Sequence, residues 1–150
     1  MLDFIIMYLK NPPRIKVLEA LGAIADGRVK VINENECEVI SSEGDRIYKV
    51  VVKGNLVNSN DNGTVYRNYV GYPIVACLML LKKLSFSEKL SSALKGIPWR
   101  KLNEEYKSYE RVEEIVFEIA RERNVNREEL ENFIKVVLDE LRRLHLRKTQ

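Results

Sequence analysis

The sequence predicts an α+β protein: a small antiparallel β-meander packed on a buried helix, with an N-terminal helix and a C-terminal helical hairpin. Three observations carry that prediction. Between residues 28 and 52, short β-branched segments alternate with Gly and Asn turn signals. Residues 74–81 form an unbroken apolar run. After Arg100, two long segments repeat apolar residues at helical spacing and are separated by a three-residue connection.

The elements follow in order. Residues 14–25 place Ile15, Leu18, Leu21 and Ala25 on one helical face, with Pro13 suited to the first turn and Asp26-Gly27 ending it. Residues 28–32, 37–40 and 47–52 read as strands, with a turn through Gly44. Residues 53–55 and 58–63 read as further turns, Asn62-Gly63 being suited to positive φ. Pro73 begins the apolar helix and Lys82 and Lys83 close it, both favourable to a helix and its dipole. Ser85 or Ser87 caps a short helix that ends at Gly96, and Ile97-Pro98-Trp99 breaks the chain. One helix over 100–123 carries Leu102, Tyr106, Val112, Val116 and Ile119; another, capped by Asn126, runs from Leu130 to Leu144. Trp99 stands at the junction, either as an anchor between layers or as an exposed ring for base stacking. Composition shifts after Leu84, so the chain divides into an α+β core, 1–84, and a helical region with an antiparallel helix pair, 85–150.

A chain of 150 residues buries roughly two-thirds of its unfolded surface and needs no staple to fold. Cys37 lies in an alternating strand and Cys77 in an apolar helix, so they read as two buried thiols. With His145 as the single histidine, a four-ligand zinc site is out of reach, and neither metal nor cofactor is expected. His145 itself reads as a cation at a helix end. Charged residues make up 31% of the chain, a thermophile-like mixture rich in Glu, Lys and Arg. The opening nine residues are apolar but include Asp3 and lack a basic leader, and they are too short to span a bilayer. A cytoplasmic protein without membrane contact is the expectation.

Residues 55–84 have a further outline. Strand-like segments lead to Gly71-Tyr72-Pro73, which opens the apolar helix. Over residues 47–84 this resembles the SWIM-type zinc finger, in which a Cys-x-Cys pair follows a hairpin and a Cys-x-His pair begins a helix. Val57 and Ser59 fall at the first pair, and Ile74 and Ala76 at the second, so all four ligands are missing. The resemblance implies a metal-free, SWIM-like core in which apolar contact replaces the zinc knot. It also implies a role in nucleic-acid or protein contacts.

The charge is unevenly placed. The net charge is +3, but residues 64–101 hold seven basic and one acidic residue, and residues 102–141 hold six basic and twelve acidic. The tail then adds Arg142, Arg143, Arg147 and Lys148. Tyr66, Tyr69, Tyr72, Phe86 and Trp99 accompany the first basic block. Cations attract phosphates and aromatic faces accept unstacked bases, so the combination points to nucleic acid, single- or double-stranded, bound by Arg67, Lys82, Lys83, Lys95, Arg100, Lys101 and the four tail cations. The alternative is a protein-interaction or scaffold domain that docks, on a partner or on itself, through its helical hairpin. No phosphate loop, nucleophile elbow, metalloprotease helix or C-x-x-C motif occurs, and the paired glutamates lie a turn from basic residues, so no enzyme is predicted.

Overall fold

A computed structural model describes residues 6–149. The chain runs β1 (Ile6–Tyr8), α1 (Ile15–Ala25), β2 (Val29–Asn33), β3 (Glu36–Ile40), β4 (Ile47–Lys53), β5 (Leu56–Ser59), α2 (Asn62–Tyr66) and α3 (Tyr72–Leu80). It continues through α4 (Glu88–Ser92), α5 (Trp99–Tyr106), α6 (Tyr109–Glu122), α7 (Arg127–Leu144) and β6 (Arg147–Thr149). The α+β class and the meander are as the sequence predicts: β2 to β5 pair antiparallel in chain order. Two further strands widen the meander to a six-stranded sheet ordered β1-β6-β5-β4-β3-β2. β6 pairs antiparallel with β1 and parallel with β5, where Arg147 lies opposite Leu56.

Strand alternation sends Cys37 and Val39 of β3, Val50 and Val52 of β4, and Val57 of β5 to the inner face, each at most 1% exposed. Against that face packs α3, which in turn touches α1 on its other side. Two covered sides explain why residues 73–79 are all buried and why the helix has no polar stripe. The helices α4 and α7 also pack on α1, and α6 packs on α7.

Three expectations are corrected. Cys37 and Cys77 are joined in a disulfide with Cα atoms 5.8 Å apart, because the inward-facing position on β3 lies under α3. The forty residues between them concealed that meeting. The helix expected over 100–123 is two: Lys107 enters the left-handed region at φ 49°, and the Ser108 hydroxyl accepts from the Arg111 N–H to start α6. The turn expected through Asn62-Gly63 is the helix α2, capped by Asp61, whose carboxylate accepts from the Thr64 N–H. The first five residues of the apolar opening lie outside the described residues.

Candidate functional site

A polar cleft is built on a helix that is otherwise apolar. On α1, residues 15, 17, 18, 20 and 21 are fully buried aliphatics, yet Lys16 and Glu19 share the helix one turn apart. Their Nζ and Oε2 atoms are 2.8 Å apart. Glu19 is only 4% exposed, and its other oxygen accepts from Asn103 Nδ2 at 3.0 Å. A carboxylate removed from water needs such partners, and here α1 and α5 supply them. Lys16 Nζ also lies 5.1 Å from the centre of the Tyr109 ring, a cation–π distance. Burial works against the lysine's charge, but the Glu19 carboxylate outweighs it and holds the pKa above the usual lysine value.

Tyrosines close the cleft. Tyr48 of β4 and Tyr72 of α3 meet edge to face at 6.1 Å. Burial pushes the Tyr72 phenol up to about 12 despite the opposing Arg28 cation. Tyr69 is likewise raised to about 12, by burial first, with Lys16 pulling the other way. Tyr48 and Tyr72 form the wall between two hollows. The smaller one, of about 80 Å³, is lined by Glu19, Trp99 and Asn103 among others. The larger one, of about 300 Å³, is bordered by Lys16, Arg67, Tyr69 and Tyr109.

The cations singled out from sequence differ in how they are engaged. Arg67 lines the larger hollow. Arg100 is tied to the β3–β4 turn, its two terminal nitrogens donating to Asp45 at 2.6 and 2.9 Å and one of them to Glu43 at 3.3 Å. That guanidinium holds the Asp45 carboxyl well below the usual aspartate range. Arg142 and Arg143 both pair with Asp139. Lys148 is 6% exposed and its Nζ donates to the Thr64 and Val65 carbonyls, so it closes the end of α2 and does not face solvent. Arg147 is half-buried and donates to Asn55. Lys82 and Lys83 are exposed on the turn after α3, which Ser85 fastens to Glu140 of α7 with bonds of 2.9 and 2.7 Å. Lys95 and Lys101 are exposed, Lys95 beside the α1 terminus, where the Gly96 N–H reaches Asp26.

Of the four positions matched to zinc ligands, Val57, Ile74 and Ala76 are fully buried, and the Ser59 hydroxyl donates to Asp61. Among the described residues, no group of His, Cys, Asp and Glu could hold a metal ion, and no helix is long and apolar enough to cross a membrane. Trp99 is buried and not available as an exposed stacking ring. The sequence reading missed Lys16, Glu19 and Asn103. Their signals were present: a charged pair three residues apart inside an apolar helical stripe, and a carboxamide four residues after the tryptophan.

The architecture is thus that of an α+β protein with a tyrosine-walled polar cleft between its sheet and its helical layer. The chain belongs to the family described as Uncharacterised conserved protein UCP014422, whose model matches residues 9–147. No curated protein and no solved structure matches it.

Proposed function

We propose that the protein is a non-enzymatic binding module for nucleic acid, and that it engages a single-stranded nucleotide unit at the tyrosine cleft. The observation that carries this reading is the meeting of Arg67, Tyr69 and Tyr109 at one hollow, with Tyr66, 76% exposed, beside Arg67 in the chain. Aromatic faces accept bases of any sequence, and a guanidinium offers a phosphate two parallel donors. Arg100, Arg142 and Arg143 are occupied by carboxylates, whereas Arg67 has no carboxylate partner among the described residues. The other basic residues then contribute long-range attraction and little positioning.

The test is titration of a labelled single-stranded oligonucleotide over a range of salt. Binding is expected to weaken steeply with salt, and Arg67→Ala is expected to lower the log–log slope by about 1. Tyr109→Ala should weaken binding at every salt concentration, while Lys95→Ala should leave positioning unchanged. No binding at low salt, or binding indifferent to Arg67→Ala and Tyr109→Ala, overturns the reading.

A second reading, contact with another protein, is favoured by a different observation. Val31, Ile32, Ile40 and Ile47 are each more than 40% exposed, and β2 is an outermost strand of the sheet. Sedimentation across a concentration series, with Ile47→Lys as the disrupting variant, tests it for self-association.

A further inference from the structure

Arg67, which carries the proposed phosphate contact, follows directly on α2, a helix of five residues. That is far below the length at which a helix persists unaided in water, so the direction of α2 is set by what holds its two ends. Asp61 holds the first, accepting from the Thr64 N–H, the Thr64 hydroxyl and the Ser59 hydroxyl. At the second, the Gly63 carbonyl accepts from the Arg67 and Tyr69 N–H groups, and the Thr64 and Val65 carbonyls turn to another part of the chain.

There they meet Lys148. Its Nζ donates to the Thr64 carbonyl at 2.5 Å and to the Val65 carbonyl at 3.2 Å, and the residue is 6% exposed. An ammonium taken out of water is costly unless its N–H groups find acceptors, so a buried lysine bonded in this way is a specific contact. The strand that carries it, β6, sets Lys148 opposite Met7 of β1. Just beyond β1, the Lys10 N–H donates to the Asn68 carbonyl and the Lys10 carbonyl accepts from the Val70 N–H. The paired strands and their flank thus hold residues 64–70 at points before and after Arg67, and Arg67 and Tyr69 within that span line the larger hollow.

We propose that Lys148 is a positioning residue for the ligand contact made by Arg67: by gripping the carbonyl end of α2 it fixes the wall of the larger hollow from which the guanidinium reaches a phosphate. The inference rests on the cleft being the nucleic-acid site and deepens it by adding a side chain that touches no ligand. Lys148 therefore acts through α2, and its removal should release Arg67 while the rest of the molecule keeps its packing.

The test is a double-mutant cycle on the full chain, titrated with the labelled single-stranded oligonucleotide over a range of salt, beside hydrogen exchange of the free protein. Arg67→Ala is expected to lower the log–log slope of the parent by about 1. In Lys148→Met the same change is expected to alter neither slope nor affinity, because Arg67 is no longer held at the site. Comparing Arg67 with Arg67→Ala inside each background cancels the charge lost at position 148. Lys148→Gln keeps a donor of similar reach and is expected to fall between the two; it carries the comparison if Lys148→Met does not fold. Exchange of the Val65 and Arg67 amides, both bonded within the α2 segment, is expected to quicken roughly tenfold or more in Lys148→Met, the effect of losing a charged hydrogen bond. The Ile134 and Val137 amides of α7 should keep their rates. An Arg67→Ala effect as large in the Lys148 variants as in the parent overturns the positioning role and leaves the proposed function standing. Exchange that quickens equally in α2 and α7, or loss of the folded state in both variants, also overturns it, since the lysine then supports the whole fold. If the oligonucleotide does not bind even at low salt, the proposed function falls, and exchange alone decides: faster exchange confined to α2 supports the grip on α2, and unchanged exchange there refutes it.

Discussion

The indole nitrogen of Trp99 lies 2.6 Å from the position a Cβ on Gly22 would take, and two of its ring carbons lie at 3.1 Å. Glycine inside a helix costs about 1 kcal/mol relative to alanine, so α1 gives up helix propensity at the point where the ring rests. Gly22→Ala should therefore destabilise the protein by about 1–3 kcal/mol through overpacking, against the gain in propensity. Thermal denaturation measures it. A stability equal to or above that of the parent would show that the ring has room to withdraw.

The Cys37–Cys77 bridge ties the sheet to its central helix across a loop of 40 residues. On the chain-entropy account, closing such a loop contributes roughly 4 kcal/mol. Protein denatured without reductant should show no reactive thiol, and reductant should release two and lower the midpoint of denaturant unfolding. Two thiols titrating before reduction would mean that the bridge is absent.

Leu78 of α3 is 1% exposed between the sheet and α1. Its replacement by alanine should cost about 2–5 kcal/mol, whereas Lys82→Ala, on the exposed turn just beyond, should stay within about 0.5 kcal/mol. Equal melting temperatures for the two variants would contradict the central position of α3.

Tyr72, pushed up to about 12 from an ordinary 10.0, sets an alkaline limit on stability. Its neutral form is favoured in the folded state, so its contribution is complete below pH 10 and is lost as pH rises from 10 to 12, where the unfolded chain ionises and the folded one does not. Phenolate absorbance should show that Tyr72 ionises late, and Tyr72→Phe should flatten the fall in stability over that interval. An unchanged slope in the variant would assign the fall to other groups.

The sequence exposes these elements to very different degrees. Periodicity identified α1, α3 and α7, because each carries a long apolar stripe or run that only one secondary structure can bury. It could not identify β6, a polar Arg-Lys-Thr segment that becomes a strand only because β1 and β5 offer edges on either side. The break at Lys107 was hidden for a related reason: the apolar stripe continues past it, and only the backbone at Lys107 and the Ser108 cap interrupt the helix. Charge counting found the basic residues but not their occupancy, since Asp45 reaches Arg100 across 55 residues and Lys148 reaches the Thr64 carbonyl across 84. For the cleft, Arg67 was legible as one cation of the basic block, between Tyr66 and Tyr69. Glu19 was marked only by its place beside Lys16 in an apolar stripe, and Asn103 becomes its partner only once α5 packs on α1.

The position of β6 orders events during synthesis. Among the described residues β1 precedes every other strand in the chain, yet its only strand partner there is β6, which follows them all. The four-strand meander and α3 can assemble while the polypeptide is still being made, but β1 must wait, edge unpaired, until Arg147 to Thr149 arrive and slot in beside Leu56. A nascent polypeptide stalled before that point would hold the meander and α3 with β1 still unpaired, and a protease supplied at that stage should cut at β1 first and spare it once β6 is present.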